Sequence, residues 1–143
     1  MSVVPADYRL SFDPAEADPV AAHAYLTGSY WSPGIPLDTV ARAMRGSLCC
    51  TVHHGGGQIG MARAITDYAT FAYIADVYVL EDHQGKGLAQ AMVAALKAHP
   101  EMQGLRRWML FTRDVHALYA RFGFGGLAHP ERAMLLDFPD VYA

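Results

Sequence analysis

The run from Phe71 to Ala89 constrains this chain more than any other. An apolar, strand-like segment passes through Glu81, Asp82 and His83 into Gln84-Gly85-Lys86-Gly87-Leu88-Ala89, and an apolar helical pattern follows at once. A strand that turns into a helix through glycines leaves the first N–H groups of the helix without intrahelical partners. They converge on one point, with the positive end of the helix dipole behind them. Such a point holds phosphate.

The spacing decides which kind of phosphate site this is. A Walker loop needs Lys followed by Ser or Thr after its second spaced glycine, and the chain has no such pair. A dinucleotide fingerprint occurs by letter at Gly55-Gly56-Gly57-Gln58-Ile59-Gly60, but strand-like segments flank it and no helix follows, so it reads as a hairpin turn. What remains, Gln84-x-x-Gly87-x-Ala89, resembles the Arg/Gln-x-x-Gly-x-Gly/Ala pyrophosphate signature of the GNAT superfamily of acetyl-CoA-dependent N-acetyltransferases. About thirty residues downstream, Tyr119 followed by Gly123-Phe124 is similar to the close of that family's fourth helix. Gly123 suits a left-handed helix stop from which Phe124 folds back. The resemblance covers nearly the whole chain. Tyr30-Trp31-Ser32, the segment Asp67 to Tyr73 and Pro130-Glu131-Arg132 look like a bacterial subgroup of small GNAT proteins whose acceptors are mostly unassigned.

A length of 143 residues with 52% hydrophobic and 17% charged content is expected to form one globular domain over 1–143. A net charge of -3 without a long basic run argues against nucleic acid as a partner, although Arg106-Arg107 is a local basic cluster. No segment approaches eighteen consecutive apolar residues and the amino terminus lacks a signal pattern, so no membrane partner and a cytoplasmic location are expected. Cys49 and Cys50, the only cysteines, would face opposite sides of a strand and are read as reduced packing residues. The histidines lack ligand-like spacing, so no metal is expected.

Patterning predicts strands at Asp7–Phe12, Ser47–His53, Gln58–Ile65, Phe71–Leu80, Trp108–Thr112 and Arg132–Phe138. Helices are expected from Asp18-Pro19 to about Ser29, and over Leu37–Arg45, Gly87–His99 and Val115–Phe122. The order β-α-α-β-β-β-α-β-α-β is what the resemblance implies. The expected fold class is α/β (α+β): a mixed six- to seven-stranded central sheet with about four helices.

The resemblance further implies that strands 71–80 and 108–112 splay into a V that takes the pantetheine arm of acetyl-CoA. Its amides would pair with the backbone at Val77, Tyr78 and Val79, and its phosphates would meet Gln84, Gly85, Lys86, Gly87, Leu88 and Ala89. The N–H near Val79 would stabilise the oxyanion. Gln84 in place of arginine still offers a side-chain amide but leaves Lys86 as the loop's only cation. Tyr119 is implied as the proton donor to the departing thiolate, a role a phenol of pKa about 10 suits. Thr112 stands where many family members carry asparagine, and Asp114 either contacts the coenzyme or caps the next helix.

A primary amine of pKa near 10.4 is free base in only about one molecule in 10³ at neutral pH. Asp76, which interrupts the apolar strand, either helps remove that proton or accepts from a turn or an arginine such as Arg113. Glu81 and His83 at the strand's exit are second candidates, acting through water. The acceptor is expected beneath the loop Tyr30 to Pro36, in a pocket of Tyr30, Trp31, Tyr68, Tyr73 and Asp76 suited to a small cationic amine. A non-catalytic acyl-CoA sensor and an acetylase of protein or peptide amines are the alternatives. Monomer and homodimer both stay open, with an edge at Arg132–Phe138 able to pair between copies.

Overall fold

The computed structural model describes residues 4–143, so the amino-terminal expectation lies partly outside the described residues. Five strands form one sheet in the order β1-β2-β3-β4-β5: β1 (Tyr8–Ser11), β2 (Leu48–His54), β3 (Gly57–Thr66), β4 (Phe71–Val79) and β5 (Arg107–Met109). Neighbours are antiparallel except β4 and β5, which run parallel. The α-helices are α1 (Pro19–Leu26), α2 (Leu37–Arg45), α3 (Leu88–Ala98) and α4 (His116–Ala120).

The expected sixth strand does not form. Residues 130–132 make a single 3-10 turn and residues 133–138 carry no regular structure, so the sheet has five strands rather than six or seven. The residues there have a strand's composition, but a strand exists only when a neighbour takes its backbone hydrogen bonds. β5 is also shorter than its apolar pattern, because its pairing with β4 ends at Tyr73–Met109, and α4 spans only His116–Ala120.

Local chemistry accounts for the remaining elements. Asp18 Oδ1 accepts from the N–H groups of Val20 and Ala21 at 3.0 and 3.2 Å, and Pro19 occupies the first helical position of α1. The Ser29 hydroxyl donates to Leu26 O at 2.7 Å and its oxygen accepts from Ser32 N, tightening the chain into turns and ending α1 earlier than expected. Gly55 and Gly56, with φ of 58° and 85°, form the hairpin between β2 and β3, so the glycine run is a turn as its flanks require.

Two cores flank the sheet. Leu88, Met92 and Leu96 of α3 pack on Cys50, Val52, Ala64 and Ile74. On the opposite face Leu26, Val40 and Met44 of α1 and α2 cover Met61 and Tyr78, with Cys49 beside them. The two thiols are therefore free and on opposite faces. Among the described residues no helix is long and apolar enough to cross a membrane.

A bulge in β4 builds the functional side. Met61 pairs with Tyr78 but Arg63 pairs with Ala75, so β4 carries one extra residue, and Asp76 takes a left-handed φ of 55°. Before the bulge the even residues Ala72 and Ile74 face α3; after it Val79 does, and Tyr78 faces α1 and α2.

Candidate active site

Because β4 continues to Val79 while its pairing with β5 stops at Tyr73, the two strands part. The gap is a cleft of about 1210 Å³ that runs from the start of α3, past the bulge, to the loop after α1.

At one end stands the glycine loop. Gly85 and Gly87 have φ of 79° and 75°, and nothing lies within 4 Å of where a Cβ would sit on either. Gly87 opens α3 with no side-chain cap, and the first intrahelical bond runs from Ala91 N to Gly87 O. The N–H groups of Leu88, Ala89 and Gln90 thus remain open at the cleft that these residues line. An uncapped helix start with left-handed glycines before it is a place where backbone N–H groups can donate to an anion.

The β4 edge continues the wall. Leu80 N donates to Ile59 O at 2.9 Å, so by the two-residue alternation of a strand the N–H of Val79 is directed away from β3, toward the cleft. The Val79 carbonyl accepts from Gln84 Nε2 at 2.9 Å, which ties the loop to the strand end.

Tyr119 faces this wall from α4. Its side chain is buried and packs edge-on against Phe124 with centroids 6.0 Å apart. Gly123, at φ 94°, ends the turn and lets Phe124 fold back onto the main core. Among the described residues no buried polar side-chain atom lacks a partner and the Tyr119 hydroxyl has no protein partner, so the hydroxyl opens on the cleft. Burial, with a smaller effect of the neighbouring Tyr30 phenol, pushes its pKa up to about 12.

The far end is closed by aromatic and charged side chains. Asp76 Oδ2 accepts from Arg63 Nε at 3.0 Å and lies 2.9 Å from Nη2, and the two side chains are only 10% and 12% exposed. Arg63 Nη1 donates to the Ser47 hydroxyl at 2.9 Å. The other oxygen of Asp76 accepts from Trp31 Nε1 at 2.9 Å. Trp31 meets Tyr30 edge-on, and the Arg113 guanidinium lies 3.8 Å from the Tyr30 ring centroid. Arg113 N also donates to the Tyr30 hydroxyl at 3.3 Å, so the loop after α1 is clasped to the loop before α4.

A profile of the GNAT acetyltransferase domain matches residues 45–125, more than half of the chain. This chain belongs to the GNAT acetyltransferase family. It is 34% identical over 138 aligned positions to a "putative acetyltransferase" of Gibberella zeae, covering 80% of this chain and 77% of that protein. The crystal structure of a "putative acetyltransferase belonging to the gnat family" from Xanthomonas campestris superposes with a TM-score of 0.94 at 42% identity, covering 99% of both chains. A "predicted acetyltransferase with acetyl-CoA" from Clostridium acetobutylicum shares the fold, with a TM-score of 0.67 at 16% identity over 91% of this chain and 94% of that one.

The GNAT cleft gathers most of the residues singled out from sequence: Tyr30, Trp31, Tyr73, Asp76 through Val79, Gln84, Gly85, Gly87 through Ala89, Asp114 and Tyr119 all line it. Two do not join them. Tyr68 sits exposed at φ 62° in the β3–β4 turn, where Asp67 Oδ1 collects the N–H groups of Ala69 and Thr70 and fixes the turn away from the cleft. Lys86 is exposed and lies outside the lining. Gln84 donates its amide to Val79, so that hydrogen of the side chain is not available to phosphate.

Asp114 does not cap α4. Val115 occupies the cap position without a side-chain bond, Val115 N donates to the Thr112 hydroxyl at 3.3 Å, and Asp114 lies 3.8 Å from Arg113. The arginine paired with Asp76 is Arg63 rather than Arg113. Arg63 went unread in the sequence, although it breaks the apolar run from Ile59 to Ile65 as Asp76 breaks that of β4. Of the second candidates, His83 lines the cleft and bonds through Nδ1 to the Tyr8 hydroxyl at 2.7 Å, whereas Glu81 is exposed outside the lining. Among the described residues no group of three or more His, Cys, Asp or Glu side chains is placed to hold a metal ion.

Proposed function

We propose that this GNAT protein transfers the acetyl group of acetyl-CoA to the nitrogen of a primary amine of a small molecule, with both substrates bound in the cleft together. One observation carries the reading: an open helix N-terminus, a strand edge with a free N–H at Val79 and a Tyr119 ring that is buried while its hydroxyl opens on the cleft line one cleft in that sequence. Each matches a different part of the donor. Acetyl-CoA supplies an activated thioester carbonyl. The N–H groups of Leu88 to Gln90 receive its phosphates without needing a cationic side chain. The Val77–Val79 edge receives an extended amide chain as an added strand, and the Val79 N–H is the donor for the thioester oxygen. That the Clostridium relative of the same fold is described with acetyl-CoA agrees with this use of the cleft.

Tyr119 is the proposed acid. With its pKa raised to about 12 the phenol is fully protonated at neutral pH, and it gives its proton to the thiolate released when the C–S bond breaks. The incoming amine must lose a proton as its nitrogen bonds to carbon. Asp76 is poorly suited to take it, because Arg63 and Trp31 already occupy its oxygens. We assign Asp76 to positioning: it holds Trp31 over the acceptor end and fixes the bulge, and the proton leaves through water in the open cleft. The clasp of Tyr30 and Arg113 narrows that end, which favours a small acceptor over a polypeptide.

Calorimetric titration with acetyl-CoA, followed by thiol-release assays over polyamines, amino acids, arylamines and short peptides, tests the reading with Tyr119→Phe alongside. Binding with Tyr119-dependent release on a small amine supports it. Binding without release on any amine supports the sensor alternative, and release only on peptides the polypeptide one. Absence of binding overturns the cleft assignment.

A further inference from the structure

The acceptor end of the cleft has a rim whose contacts close on themselves. Tyr30 meets Trp31 edge-on with ring centroids 5.1 Å apart, and Trp31 Nε1 donates to Asp76. Asp76 follows Tyr73 along β4, and the Tyr73 ring lies edge-on to Phe111 at 5.8 Å. Thr112 then joins Phe111 to Arg113, whose guanidinium returns to the Tyr30 ring at 3.8 Å. All of these residues line the cleft, yet Phe111 is 60% exposed, Tyr30 43% and Trp31 42%. An aromatic mouth left partly in water is a place for a flat, apolar body.

The charges at this mouth select among such bodies. Among the described residues the lining holds two carboxylates, Asp76 and Asp114. Arg63 and Trp31 take both oxygens of Asp76, and Asp114 is exposed 3.8 Å from Arg113. The histidine of the lining, His83, stands at the coenzyme end beside Gln84 and is held by the Tyr8 hydroxyl. A cationic amine of the kind expected from the sequence therefore finds neither a free buried carboxylate to pair with nor a base to take its proton. An alkylamine of pKa near 10.4 offers only about one free-base molecule in 10³ at neutral pH. An amine attached directly to an aromatic ring avoids this, because conjugation of its lone pair with the ring leaves it uncharged at neutral pH. Arg113 is the uncommitted charge. One face of its guanidinium lies on Tyr30, and among the described residues its N–H fork makes no side-chain hydrogen bond, which leaves it open to a planar carboxylate.

We propose that the acceptor is an arylamine that carries a carboxylate, its ring seated against Trp31 and Phe111 and its carboxylate on Arg113. This rests on the acetyl-transfer reading above and narrows it. The neutral nitrogen attacks the thioester carbon, and the N–C bond forms as the C–S bond breaks. Tyr119 protonates the departing sulfur, and the proton lost from nitrogen goes to water. No protein base enters, so Asp76 is free to be spent on structure.

Thiol release from acetyl-CoA, compared for meta- and para-aminobenzoate, the neutral para-aminobenzamide, benzylamine and putrescine, tests this with Arg113→Gln and Arg113→Lys beside the unaltered protein. For one of the aminobenzoates kcat/KM should exceed that for the amide by about tenfold or more. Arg113→Gln should erase that ratio and Arg113→Lys should restore part of it. A merely structural role in the clasp with Tyr30 would instead slow acid and amide alike. With aminobenzoate kcat/KM should stay flat between about pH 6 and pH 8, a range in which an alkylamine gains about tenfold per unit as it loses its proton. If acetyl-CoA binds but thiol release is absent on both aminobenzoates, or is faster on benzylamine or putrescine, the proposal is overturned and the cleft assignment stands. A carboxylate preference indifferent to Arg113→Gln overturns it too. If acetyl-CoA does not bind, the transfer reading falls, and calorimetry of aminobenzoate with the free protein decides the subsite: binding that is lost in Arg113→Gln supports it, and no binding overturns it.

Discussion

The guanidinium of Arg63 and the carboxylate of Asp76 meet at 2.9–3.0 Å across the bulge of β4, nearly out of reach of solvent. The pair joins β3 to the irregularity of β4, and Trp31 of the loop after α1 donates to the same carboxylate. Removing one member leaves the other charged and buried, which costs far more than the pair itself contributes. Asp76→Ala should therefore lower unfolding free energy by about 3–5 kcal/mol, measured by urea titration. Asp76→Asn keeps an acceptor for Trp31 and should retain the acid limb of the pH–rate profile, since the carboxylate is assigned to positioning. Loss of that limb would restore Asp76 as the base.

Tyr119→Phe keeps the ring that packs on Phe124 and removes only the hydroxyl. Thermal stability should be nearly unchanged, and calorimetry should find acetyl-CoA bound as before. The turnover number should fall by about 10²- to 10⁴-fold, the usual share of a positioned acid.

Two glycines should fail for different reasons. A Cβ on Gly60 would meet Tyr78 O at 2.7 Å and a Val52 methyl at 2.8 Å, so Gly60→Ala must separate β3 from its neighbours and should lower the melting temperature strongly. Gly87→Ala meets open space and costs only the left-handed backbone, about 1–2 kcal/mol. Its larger effect should be on coenzyme binding, read by calorimetry, because it distorts the cradle at the start of α3.

High pH should unfold this protein through groups that burial keeps protonated. The thiols of Cys49 and Cys50 are pushed up to about 11 and about 12, and the phenols of Tyr78 and Tyr119 to about 12. In the unfolded chain the same groups ionise at about 8.5 and 10. Between those values the native state holds more protons, so its stability is intact below pH about 8.5 and falls as pH rises toward 12. Denaturation midpoints measured from neutral to alkaline pH should decline accordingly, and both thiols should resist a thiol reagent until the protein unfolds.

The legible parts of this fold were those specified within a short window. Leu37–Arg45 is a helix with the bounds its pattern gives, and Asp18-Pro19 starts α1 as capping chemistry requires. The glycine loop and the Tyr119 to Phe124 turn likewise stand as read, since left-handed glycines and an uncapped helix start are properties of adjacent residues. Tyr68 stands outside the cleft lining because the hydrogen bonds of its turn, at Asp67, fix where that side chain sits, and of the two readings of Asp114 the structure removes only the helix cap.

By itself the sequence determined the order of elements up to α4 and the place of the glycine loop at the start of α3, because each depends on periodicity or on a few consecutive residues, while Tyr119 was singled out by the resemblance to the GNAT family. Only the tertiary structure decided that Asp76 is paired with Arg63, that Gln84 is spent on Val79 and that residues 133–138 are not a strand. Those outcomes depend on which distant group arrives as a partner. An ion pair, a side-chain hydrogen bond and a β-strand all exist between two segments rather than within one.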